Sequence, residues 1–175
     1  AEKRIRETVT GQAPDNIEAL RFRLHATQEL PFAPYEASYG DVNASLESFA
    51  TQVKGDPLAE FSGAEASLRS KISALRTALL KALELYQSLL SFRHSFSVLS
   101  ERVAKLRRTP LKPGYPDAID AESPPETFRF AEDDSELDRE LNSASTHSGT
   151  LTQHLHKGEA VAFERLLPAA EKAVG

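Results

Sequence analysis

For 45 residues, from Ala64 to Arg108, the chain contains neither glycine nor proline, and its apolar residues return at helical spacing. Leu68, Ile72, Leu75, Leu79, Ala82, Tyr86, Leu89, Phe92, Phe96, Leu99, Val103 and Leu106 follow in steps of 4-3-4-3-4-3, then 3, then 4-3-4-3. Residues three and four apart share one face of an α-helix, so the pattern predicts a single amphipathic helix over 64–108. At about 1.5 Å per residue its length would be roughly 67 Å. The two heptad-like runs meet at the three-residue step between Leu89 and Phe92, a stammer of the kind that overwinds a supercoil. Leu80, Leu83, Leu85 and Leu90 widen the stripe, so the middle of the helix is expected to be covered on two sides. Serines 88, 91, 95, 97 and 100 place any kink or break near Ser91–Ser97, because serine hydroxyls bond back to the preceding turn.

Shorter helices are predicted around this one. Over about 15–30, Ile17, Leu20, Leu24 and Thr27 share a face, and Pro31 and Pro34 end the run. PFAPYEASYG then reads as an irregular connector. Asp41 suits the cap of a helix over 41–54, with Val42, Leu46, Phe49 and Val53 in one stripe and Gly55 at its end. A short turn is expected over 57–61, and residues 1–9 read as the tail of a further helix. Five prolines and many acids mark 109–132 as a loop. A last helical region, 134–173, carries Leu137, Leu141, Ala144, Leu151 and Leu155 in phase, with a bend or interruption expected near Gly158. Strand signals reduce to Thr127–Phe130, too short to found a sheet. The expected fold is a single all-α domain, an elongated bundle built around one long, coiled-coil-like helix.

Charge is segregated along the chain. Residues 1–63 hold 6 Lys/Arg against 10 Asp/Glu, 64–108 hold 9 against 3, 109–140 hold 3 against 10, and 141–175 hold 3 against 3. The basic C-terminal end of the long helix, Arg102, Lys105, Arg107 and Arg108, is therefore a candidate anionic-surface contact. Cations there also suit the negative end of the helix dipole, and the acidic segment follows directly. A net charge of −5 argues against a nucleic-acid partner. Peripheral membrane contact stays open as an alternative.

Motifs that carry chemistry are missing from the sequence. There is no cysteine, hence neither a disulfide nor a thiolate ligand. His147 and His154 would share a helical face two turns apart and His156 would point elsewhere, unlike the i, i+4 pair that zinc favours on a helix. Glu29, Glu84, Glu101 and Glu140 lack a histidine three residues on, as a di-metal bundle would require. No nucleophile elbow, dinucleotide fingerprint or phosphate loop occurs. Asn43-Ala44-Ser45 matches a glycosylation sequon but reads as ordinary helix.

Neither an enzyme nor a cofactor is expected. The leading expectation is a cytoplasmic, soluble interaction or assembly module, a subunit or fragment of a larger complex. It would bind another chain or a second copy through the seam Leu68, Ile72, Leu75, Leu79, Tyr86, Leu89, Phe92, Phe96, Leu99, Val103 and Leu106. A membrane-associated scaffold or tethering subunit is the first alternative, and a small-molecule or metal-binding bundle the second. The chain opens Ala-Glu-Lys rather than with methionine, which fits a processed chain or a piece of a longer one.

Overall fold

A computed structural model describes residues 16–56, 61–108 and 127–174, with side chains for all of these except 106–108 and 127–135. The described residues form the helices α1 (Ile17–Ala26), a 3₁₀ turn (Ala33–Tyr35), α2 (Glu36–Gly55), α3 (Ser62–Arg108), α4 (Thr127–Lys157) and α5 (Ala160–Lys172), with no strand among them. The fold is all-α, organised on the long helix α3. No described helix is long and apolar enough to cross a membrane.

The long helix runs unbroken for 47 residues, through the serines at 91–97. Its stripe is interior. Leu68, Leu75, Leu79, Ala82, Leu89, Phe92 and Val103 are all buried. Ile72, Tyr86, Phe96 and Leu99 are half-buried. The expected second covered face is only partly present. Leu85 is buried and Leu80 and Leu83 half-buried, but Leu90 is 43% exposed, one position and about 100° round the helix from buried Leu89.

Helix ends depart from expectation for identifiable reasons. Asn16 caps α1, its Oδ1 accepting from the Ala19 amide at 2.7 Å. The helix stops at Ala26 because the Thr27 hydroxyl donates to the Leu24 carbonyl and accepts from the Glu29 and Leu30 amides, while Gln28 turns left-handed at φ 57°. Leu30 lies beyond the helix and is still buried.

The second helix starts five residues earlier than Asp41 suggests. Pro34 sits in the 3₁₀ turn that feeds directly into Glu36, a place where its fixed φ and missing N–H cost little. Gly40 is thus mid-helix, and Asp41 pairs with Lys71 of α3 at 3.0 Å rather than capping. Lys71 also donates to Ser45 at 2.9 Å.

The loop expected over 109–132 is shorter than that, since α4 begins at Thr127. In the sequence, Pro124 and Pro125 stand just ahead of that start. Residues 109–126, like the helix tail expected over 1–9 and most of the turn over 57–61, lie outside the described residues. The interruption expected at Gly158 is present. Gly158 takes φ 72°, its amide donates to Leu155 and the Glu159 amide to His154, the paired bonds of a Schellman cap.

Packing divides the molecule into two compact units, one holding residues up to Tyr86 together with His154–Ala160, the other Gln87–Gln153 and Val161 onward. The first is centred on Leu20, Leu24, Leu68, Leu75, Leu79 and Leu155, and one cleft in it is lined jointly by Ile17 of α1, Val42 and Leu46 of α2 and Ile72 of α3. The second is centred on Leu89, Phe92, Leu151 and Phe163, with Arg93 donating to the Thr152 hydroxyl at 3.1 Å.

Candidate interaction surface

Helical period decides what α1 shows to solvent. Leu20 and Leu24 are fully buried, so the residue midway between them points the opposite way. That residue is Phe22, which is 72% exposed. Its sequence neighbours Arg21 and Arg23 are exposed on either flank, with His25 and Ala26 one turn further along the same face.

Arg21 does not wave freely. Its guanidinium carbon lies 4.9 Å from the centre of the Phe32 ring and 5.0 Å from that of Tyr39, and those two rings meet edge to face. Such contacts hold a cation electrostatically against the ring faces. Tyr39 in turn donates its hydroxyl to the Glu18 carboxylate, one turn before Arg21. The cluster ties α1 to the residues around the 3₁₀ turn and gives Arg21 a fixed position beside Phe22.

An open cleft of about 640 Å³ borders this face. It is lined by His25, Ala26, Gln28, Glu29, Leu30 and Pro31 and, from the end of α4, His156. A second cleft in the same unit, about 290 Å³, is lined by small residues of α3 (Ala74, Ala78, Ala82) with Leu85, Leu155, Gly158 and Tyr35. Burial there raises the Tyr35 phenol above its ordinary value, because the phenolate would lose hydration. A methyl built on Gly158 would stand 2.9 Å from Pro34 Cβ, so glycine is required there for close approach as well as for its positive φ.

The residues singled out from sequence fall elsewhere. Leu68, Leu75, Leu79, Leu89, Phe92 and Val103 of the seam are turned into the chain's own interior, and only Ile72, Tyr86, Phe96 and Leu99 keep partial exposure. The Leu106, Arg107 and Arg108 side chains lie outside the described residues, while Arg102 and Lys105 are exposed. His154 Nδ1 is 2.7 Å from Glu159 Oε2 across the Gly158 corner, His147 is half-buried and His156 exposed. Among the described residues, no group of three or more His, Cys, Asp or Glu is arranged to hold a metal ion.

Phe22 lies off the buried face of its helix, the face that apolar spacing marks. The same spacing that marks Leu20 and Leu24 as interior marks Phe22 as outward. Comparison of the chain with protein-family models, curated proteins and solved structures finds no match.

Proposed function

We propose that the protein is a non-catalytic protein–protein interaction module, and that the outward face of α1 is where it docks. One observation carries this reading: a phenylalanine 72% exposed between two arginines, one of them fixed on aromatic rings. Aromatic and arginine side chains are the types that dominate binding energy at interfaces. A prepositioned arginine loses less conformational freedom on binding than a mobile one. The half-buried seam positions of α3 are a weaker docking surface, because burial within the chain already satisfies most of that stripe.

A photo-crosslinking amino acid at position 22, with the same group at exposed Arg69 as control, tests the reading in native extract. A discrete adduct formed from position 22 alone is expected. Adducts of equal yield from both positions, or none from either, would overturn it.

A further inference from the structure

We infer that α1 is a latched arm, which swings out of its unit as one piece about Thr27 and Gln28 while α2 and α3 stay folded. A helix of ten residues is too short to hold its shape alone in water, so its order comes from packing. That packing rests on few side chains. Leu20 and Leu24 are fully buried, Ile17 and Ala19 are half-buried, and the rest of the helix is exposed. Near its start the fit is open, since Ile17 and Glu18 share an unfilled cleft of about 140 Å³ with Val42 and Leu46 of α2 and Ile72 of α3. Groups that line a gap forgo the dispersion contacts of a close-packed interior.

Strain marks the pivot. Gln28 is left-handed at φ 57°, a conformation that costs a residue with a Cβ, and the Thr27 hydroxyl breaks the helix just before it. Beyond the turn Leu30 is buried and fixes the far side. The latch is the aromatic seat of Arg21, on Phe32 and Tyr39 at 4.9 and 5.0 Å, with the Tyr39 hydroxyl donating to Glu18. At exposed sites such contacts are individually weak, and water replaces them as the arm leaves.

α2 and α3 are joined differently. Lys71 of α3 reaches both Asp41 and Ser45 of α2, and the Phe49 and Phe61 rings meet edge to face. None of these links passes through α1, so its departure leaves them whole. It uncovers Val42, buried in the closed fold, with Leu46 and Ile72 beside it. The chain thus has a second state in which part of the α3 stripe meets water.

Native-state hydrogen exchange of the full chain, followed by NMR in low concentrations of urea, tests the arm. The amides of Leu20 to Ala26 are expected to exchange together, with protection about tenfold or more below that of Leu75 to Ala82 in α3. Their exchange should depend little on urea, because a local opening exposes little surface. Arg21→Ala should speed the α1 amides roughly two- to fivefold, the worth of the ring contacts. Ala74→Gly, at an exposed position of α3, should speed the α3 amides about four- to fivefold through helix propensity and leave those of α1 unchanged.

Equal protection of α1 and α3 with the same dependence on urea would overturn the arm, as would acceleration of both by Ala74→Gly. Protection that declines steadily from Ala26 back to Leu20 would overturn the pivot, since that is fraying from one end. An unchanged α1 rate in Arg21→Ala would overturn the latch.

Discussion

The longest helix and the shortest use their aromatic and aliphatic residues in opposite ways. Over 47 residues α3 carries a continuous apolar stripe, and the chain's own interior takes up most of its described positions. The ten-residue α1 buries only Leu20 and Leu24 and leaves its one aromatic ring outside. Length and periodicity are thus a guide to where the core lies. A large apolar residue out of phase with its own helix marks the face proposed for docking.

Four substitutions put this contrast under strain. The largest effect is expected at Phe92, where replacement by Ala should cost about 3–5 kcal/mol, the usual range for emptying a buried aromatic site. Chemical denaturation measures it, and a loss below about 1 kcal/mol would mean the stripe of α3 is not core there. Next comes Gly158→Ala. The left-handed conformation alone costs a residue with a Cβ about 1–2 kcal/mol, and the contact with Pro34 adds to that.

A smaller change is expected for Arg21→Ala, about 0.5–1 kcal/mol, the worth of a cation held on ring faces at an exposed site. Phe22→Ala should be the quietest for stability, within about 0.5 kcal/mol by chemical denaturation. A large loss of stability at Phe22 would erase the distinction between the two helices.

Alkaline pH sharpens the picture of the Tyr35 cleft. The fold holds that phenol in its neutral form by withholding water, so the folded state keeps its proton more tightly than the unfolded chain does. The resulting stabilisation is whole below the ordinary tyrosine range near 10 and is lost as pH rises through and beyond it. Thermal melts across that range should therefore fall less steeply for Tyr35→Phe than for the parent chain.

Much of the architecture was legible in residue spacing. The α3 stripe reads directly, as does the break at Gly158, because a lone glycine after in-phase Leu151 and Leu155 suits a left-handed cap. The starts of α2 and α4 were obscured by the same thing: prolines that look like breakers belong to the approach into a helix when they fall at its first turn or before it. The α1 surface was half legible. Phe22's direction follows from period alone. The seat of Arg21 does not, since Phe32 and Tyr39 reach it only through the turn set by Thr27, Gln28 and the 3₁₀ segment.

Gly158 and Pro34, which leave no room between them for a Cβ on the glycine, are made at very different moments of synthesis. Residues 154–160 complete a unit whose remaining members end at Tyr86, so that unit waits for a stretch emerging late from the ribosome. Until it arrives, the alanine face of α3 at 74, 78 and 82 has no wall from Leu155 and Gly158. Contacts so distant in sequence close slowly, because loop-closure entropy is lost before they form. The nascent chain is therefore most open to wrong associations in the interval between finishing α3 and finishing α4.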